Sequence, residues 1–344
     1  MKILHAPLDL AGVGWSLTQA LRAAGYEADL ATISSSKFTN AGNIDLSFSG
    51  EGKIARQKKK YDFCTKVLPG YDVVHYHAGR SILDYGDGVF SLMDLRAARE
   101  RGQVVAMTYH GCELRGVHPE MCHSYCTDKV CENQKQKIRI GELRDLVDIF
   151  YVTTPDLLSS APYATLMPQS VWGMKEVEVV PPVLVGNIRI AHAPSKRSTK
   201  GSEHVIAACE ELILEGLPIE FVLIEGMEHQ AALKEMSTVD IVVDNIIMGW
   251  YCVVAIEAAV RGKVVVTSID ANIAQRTLSI KPPFVSASPK TIKEVLRKLC
   301  TTREEFSTMG KENRRYALET HNALEHAKIL LADYQKVREE KDHV

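Results

Sequence analysis

Long apolar runs are missing from this 344-residue chain. None reaches the ~18 residues that a membrane-spanning helix needs, so a helical integral membrane protein is not expected. A charge excess is missing too. Lys and Arg number 41 against 43 Asp and Glu, a net charge of −2, and no global field recruits nucleic acid. No third glycine completes a dinucleotide fingerprint after Gly12 and Gly14, and no acidic ribose-binding residue follows at the usual spacing, which argues against a nicotinamide enzyme. The sequence has no internal repeat of short period. Met1-Lys2-Ile3-Leu4-His5 enters a strand at once, without signal-peptide architecture. With eight cysteines and no leader, reduced thiols in a cytoplasm, or metal ligation, are expected rather than a disulfide framework.

What is present is ordinary for a globular chain: 46% apolar and 24% charged residues, with length enough for two domains. Lys2 to Ala6 reads as a strand, Leu17 to Ala24 as a helix stopped by Gly25, and Tyr26 to Ile33 as the next strand. This βαβ opening implies a parallel sheet. Gly12 and Gly14 stand at the start of the helix, where a ligand can approach the backbone closely.

Lys53 to Leu68 reads as a helix containing Lys58, Lys59 and Lys60. This is either a solvated face or a patch for anionic lipid headgroups. Asp72 to His77 and Val104 to Thr108 read as strands, and His77 and His110 fall at their ends, where α/β sheets line a ligand crevice. Leu92 to Arg101 and Arg139 to Val147 read as helices, Ile149 to Thr153 as a strand and Thr154 onward as another helix. Val177 to Val180 reads as the last strand of this half, and Pro181-Pro182 as a stiff linker.

Cys112, Cys122, Cys126 and Cys131 follow one another as C-x9-C-x3-C-x4-C, with His118 and His123 interleaved. Four thiolates can close a tetrahedral structural zinc site, yet the usual C-x2-C pairs are absent. Metal, free thiols and a redox role all stay open for this segment, as a staple or as a lid.

The second half opens with a strand, Ile188 to Ala191. The loop Lys196-Arg197-Ser198-Thr199-Lys200-Gly201 then precedes a helix from Ser202. Cations before a helix N-terminus suit a diphosphate. Ile219 to Ile224 ends in Glu225-Gly226. Strand Val239 to Val243 leads into Met248-Gly249-Trp250-Tyr251-Cys252 and then a short helix bearing Glu257, and Val264 to Ser268 follows. A helix start placed after a strand collects free amides and the positive end of a dipole.

This half resembles the donor-binding domain of retaining GT-B glycosyltransferases, family 4 in particular. In that family the short helix begins Glu-Gly-Phe-Gly and carries a second Glu that holds the nucleotide ribose. Glu257 matches the second Glu, while Gly249 stands where the first would be. Lys200-Gly201 matches the family's diphosphate loop, with Arg197 displaced toward the Lys. The resemblance implies two Rossmann-like domains facing across a cleft. Residues 1–182 would form the acceptor-side domain, 183–319 the donor domain, and a last helix over about 320–344 would cross back onto the first.

It further implies transfer of a hexosyl group from a UDP- or GDP-sugar, with retention, in polysaccharide or glycoconjugate biosynthesis. Lys200 and Arg197 would hold the diphosphate, Glu257 the ribose and His110 the donor sugar. Gly12, Gly14, Gly201, Glu225, Gly249, Trp250 and Tyr251 would border the donor. No catalytic metal is expected, because cations and helix dipoles neutralise the diphosphate. A glycan or lipid-linked acceptor fits the family, and Lys58–Lys60 would then touch the inner face of a membrane. The missing Glu at Gly249 keeps open a nucleotide-sugar-binding scaffold without turnover, and a non-hydrolysing sugar-nucleotide epimerase, which shares the fold, is a third reading.

Overall fold

The computed structural model describes residues 1–34, 42–84, 91–115, 134–182, 185–277 and 281–343. Cys122, Cys126 and Cys131 of the expected cluster, and the interleaved His118 and His123, lie outside the described residues. The chain divides into two compact units. The first takes its described residues from Met1–Pro119, Val130–Trp172 and Ala323–Val344, the second from Gly173–Asn322.

The first unit holds a parallel sheet of β1 (Lys2–Ala6), β2 (Glu27–Thr32), β3 (Ile44–Asp45), β4 (Val73–His77), β5 (Val104–Tyr109), β6 (Ile149–Val152) and β7 (Thr165–Leu166). Its order is β3-β2-β1-β4-β5-β6-β7. Every residue of β4 and β5 is buried, as expected of central parallel strands covered by helices on both faces. The Ala323–Asp342 helix belongs to this unit. It buries Ala327, Leu330, Leu331 and Tyr334, and its Asp333 accepts a 2.6 Å hydrogen bond from Tyr151.

The second unit holds a parallel sheet of β8 (Ile188–His192), β9 (Ile219–Leu223), β10 (Ile241–Val243), β11 (Val264–Thr267) and β12 (Val285–Ser286), in the order β12-β11-β10-β8-β9. Valine and isoleucine fill β10, and three valines and Thr267 make up β11, all buried. In each sheet the strand order reverses once: between β1 and β4 in the first, between β8 and β10 in the second. Chains leaving the two strands at such a point part company and open a crevice.

Two expectations change. Val177 to Val180 is not a strand. Lys263 Nζ donates to the Val180 carbonyl at 3.1 Å, and Val179 packs where a Cβ on Gly262 would fall, so this stretch packs as irregular chain within the second unit. The segment after Thr154 is a 3-10 turn over Pro155–Ser159, not an α-helix. Among the described residues, no helix is long and apolar enough to cross a membrane.

Candidate functional site

The crevice of the second sheet is built from the loops that leave β8 and β10. After β8 the chain makes one turn of helix, Arg197–Lys200, and passes through Gly201 with φ +75° into the helix Ser202–Leu214. Gly201 is demanded twice over. Its backbone is left-handed, and a Cβ there would lie 2.7 Å from Ile246 Cγ1. That close approach lets the Ile246 amide donate to the Lys200 carbonyl, stitching the two loops together.

Lys200 is buried. Its Nζ donates to Asp244 Oδ1 at 2.9 Å, and the other carboxylate oxygen accepts the Cys252 amide at 2.6 Å. Burial alone pushes the ammonium pKa down. Asp244, with the Cys252 thiol, outweighs it and holds Lys200 above its ordinary value, hence charged. Cys252 caps the helix Val253–Val260, so Asp244 sits at that helix's N-terminus. The Val253 and Val254 amides are among those that a helix start leaves without an intrahelical acceptor.

Asn245 shapes the turn before this helix, accepting the Met248 amide at 2.9 Å and donating to the Trp250 carbonyl at 2.8 Å. Gly249 has φ +73°, and its amide donates to Ser268 Oγ. A left-handed backbone explains glycine here physically, where a glutamate would be strained. The Trp250 and Tyr251 side chains lie in the interior. The Tyr251 hydroxyl bonds Tyr316 Oη at 2.7 Å and His321 Nε2 at 3.0 Å, the satisfaction a buried tyrosine requires.

Glu257 stands on the same helix and accepts a 2.7 Å hydrogen bond from His229 Nε2, at the start of the helix after β9. Arg197 lies on the surface. It engages Glu225 through Nε–Oε1 at 3.0 Å and Nη2–Oε2 at 2.8 Å, and Glu203 more loosely. The Glu225 hydrogen bond and charge raise its pKa, and Glu225 in turn is held below the usual carboxylate range. His192 Nδ1 donates to the Val243 carbonyl, and Nε2 accepts from Ser202 Oγ, both at 2.8 Å. This bridge ties β8 to β10 at the reversal. The structure therefore brings Lys200, Gly201, Gly249 and the Glu257 helix into one loop system. The Arg197 guanidinium is paired with carboxylates.

The first sheet's crevice is different. Parallel pairing places His5 beside His75 and His77 beside Thr108. His5, His75 and His77 are buried, with His75 stacked 4.8 Å from His5 and 4.9 Å from His77. His5 Nδ1 lies 2.9 Å from His77 Nε2, and His77 Nδ1 lies 3.0 Å from His110 Nε2. His75 instead bonds Thr108 Oγ1 and the Tyr334 hydroxyl. Burial pushes His5 down to about 3, and drives His75 and His77 well below their ordinary value, so all three are neutral.

The helix Val13–Ala23 starts here behind Gly12, φ +75°. Asp9 Oδ1 accepts the Gly14 and Trp15 amides at 2.9 and 3.2 Å, so a carboxylate already takes the donors at this helix start. Asp9 and Asp244 were not singled out from the sequence. Each is an acidic residue between a strand and a helix, which is the signal that could have found them.

Elsewhere, Cys112 is exposed. No group of three or more His, Cys, Asp or Glu able to hold a metal occurs among the described residues. On the Lys53–Lys66 helix, Lys59 pairs with Glu51 and lies 5.3 Å over the Phe48 ring, Lys60 is half-buried, and Ile54 and Tyr61 are exposed.

No family model matches the sequence, and no curated protein matches it. Solved structures do. Sucrose-phosphate synthase from Thermosynechococcus elongatus aligns with a TM-score of 0.65 and 16% identity, over 97% of this chain and 98% of that one. HepE from Anabaena, solved in complex with UDP and glucose, aligns at 0.61 and 12% over all of both chains. UDP-GlcNAc 2-epimerase from Neisseria meningitidis, bound to UDP-GlcNAc, aligns at 0.55 and 13%, over 98% and 100%. At these identities the likeness speaks to architecture, and with the two parallel sheets it establishes the fold as α/β of the GT-B type, built of two Rossmann-like domains.

Proposed function

We propose that the protein is a glycosyltransferase that moves a hexosyl group from a nucleotide-sugar donor, a UDP- or GDP-sugar, to an acceptor with retention of configuration. The observation that carries this reading is the charged, buried Lys200 beside the Val253–Val260 helix start, at the reversal of the second sheet. A diphosphate placed there meets an ammonium, free amides and a dipole end. Together they stabilise the charge that develops on the leaving group. Glu257, oriented by His229, takes the ribose hydroxyls, and Gly201 and Gly249 keep the backbone close to the donor. Arg197 must exchange Glu225 for phosphate to contribute. In the first unit, His110 is assigned to a sugar oxygen. The solved structures of similar fold include proteins bound to UDP or UDP-GlcNAc, which supports a nucleotide-sugar ligand.

Two observations favour alternatives. Lys200 is already paired with Asp244, and position 249 lacks a carboxylate, as suits a scaffold that binds the donor without turnover. The epimerase neighbour supports the third reading. The acceptor is proposed as a glycan or lipid-linked glycan, with Lys58 and Lys59 facing an anionic membrane surface. Product analysis with UDP-glucose alone, then with candidate acceptors, decides among the three. Slow release of UDP with free sugar, or acceptor-bound sugar, is the expected result. An epimerised sugar nucleotide, or binding with no product at all, contradicts it.

A further inference from the structure

The proposed function uses His110 but not the buried histidines that are chained to it. His5, His77 and His110 are linked end to end through two contacts of 2.9 and 3.0 Å, across sequence separations of 72 and 33. A neutral imidazole has one N–H and one acceptor nitrogen. A contact between two such rings needs one of each. The ring in the middle must therefore donate at one end and accept at the other, and all three protons point the same way along the chain.

One atom sets the direction. His5 Nε2 is buried and has no hydrogen-bond partner among the described residues. A proton there would be a buried N–H without an acceptor, the rarer and costlier arrangement. A proton on His5 Nδ1 is used, by donation to His77 Nε2. His77 then carries its proton on Nδ1 and donates to His110 Nε2, and His110 carries its own on Nδ1. His75 does not interfere, since Thr108 Oγ1 and the Tyr334 hydroxyl take its two nitrogens.

We propose that His5 and His77 are positioning residues that fix the tautomer of His110, so that His110 presents an Nδ1–H donor rather than a basic nitrogen. His110 then recognises an acceptor oxygen, such as a hydroxyl or ring oxygen of a sugar, and does not remove a proton. The direction of the relay stands on the ring geometry alone. Its use on a sugar oxygen rests on the function proposed above.

The test is long-range proton–nitrogen correlation NMR on full-length protein with 15N-labelled histidine. Expected in the ligand-free protein are a pyrrole-type Nδ1 and a pyridine-type Nε2 at His5, His77 and His110 alike. A pyrrole-type Nε2 at His110, or a signal averaged between the two forms, overturns the proposal. His77→Leu should release His110, whose Nε2 then loses its fixed donor, to an averaged signal. His77→Gln, which keeps an amide donor, should restore the wild-type pattern. An unchanged His110 signal in a folded His77→Leu protein also overturns the relay. If the leucine variant does not fold, the wild-type and glutamine spectra still decide. Addition of UDP-glucose should shift His110 Nδ1. Binding without that shift removes the assigned sugar contact and leaves the relay standing, whereas no binding counts against the proposed function.

Discussion

At the reversal of the first sheet a helix N-terminus meets Asp9 among neutral histidines, and at that of the second a helix N-terminus meets Asp244 beside a charged lysine. The backbone geometry is the same, since both crevices come from strands whose chains diverge. The chemistry differs in the counter-charge. In the second unit Lys200 offsets Asp244, so an arriving diphosphate is not repelled and gains an ammonium. In the first unit Asp9 takes the Gly14 and Trp15 amides, and the buried imidazoles nearby are neutral. Under the proposed function an anion suits the second crevice, and a neutral group rich in oxygen the first. Strand order alone makes both look like phosphate sites. The side chains at the helix starts separate them.

The largest effect should come from breaking the charge balance in the second unit. Asp244→Ala leaves a buried ammonium unpaired and removes the acceptor of the Cys252 amide. It should cost about 3–5 kcal/mol of stability in denaturant unfolding. A loss below about 1 kcal/mol would mean that Lys200 finds water or another partner easily, and the contrast between the crevices would weaken.

Acid should act on the other side of the comparison. His5 has a folded pKa of about 3 against an ordinary 6.5, so between those values the unfolded chain binds protons that the fold refuses. Stability is then lost as pH falls below about 6.5, by about 1.4 kcal/mol per pH unit for each such histidine, with His75 and His77 acting in the same direction. Asp94 in the same unit works against this. Burial raises it to about 6, so it adds stability as pH falls toward its ordinary 3.8, but it is one group against three. Lys200 is held above 10.5, so its contribution is complete below that pH and is lost only in strong alkali. Hydrogen exchange resolved by segment should therefore show β1 and β4, with three buried neutral histidines, loosening near pH 4.5 more than β8 and β10, where burial lowers the one histidine, His192. Equal protection of both sheets at that pH would contradict the neutral-histidine account.

A smaller effect concerns thiols. Cys64 and Cys209 are buried, and burial pushes Cys209 up to about 12 and Cys64 higher still, whereas Cys112 is exposed. Cys112 should react with a thiol reagent well before either. If Cys112, Cys122, Cys126 and Cys131 hold zinc, the purified protein carries about one zinc per chain and Cys112 reacts quickly only after chelation. Metal-free protein whose Cys112 titrates at once rules that site out.

The long strands of both sheets were legible because buried parallel strands read as runs such as Val104-Val105-Ala106-Met107 and Val264-Val265-Val266. The two-residue strands β3, β7 and β12 carry too little pattern to see. Val177-Glu178-Val179-Val180 misled because β-branched residues also suit an extended segment that pairs with nothing. At the site, Lys200-Gly201 stood out by position between strand and helix, and Glu257 by its place on the short helix and its match to the family's second Glu. Their partners Asp244 and His229 did not, since pairing across 44 and 28 residues depends on how the loops fold together. The histidine chain was half visible. His77 and His110 were evident at strand ends, but the link to His5 comes from the register of β1 against β4, which no local pattern reports.

The central claim is that the second crevice takes the diphosphate and Glu257 the ribose. Calorimetric titration of UDP and of inorganic diphosphate into wild-type, Lys200→Met and Glu257→Gln proteins tests it directly. Lys200→Met should weaken both ligands by about 1.5–3 kcal/mol, the worth of a charge-assisted hydrogen bond. Glu257→Gln should weaken UDP while leaving inorganic diphosphate unchanged. If Lys200→Met binds both ligands as the wild type does, or Glu257→Gln loses both equally, the assignment of this crevice is contradicted.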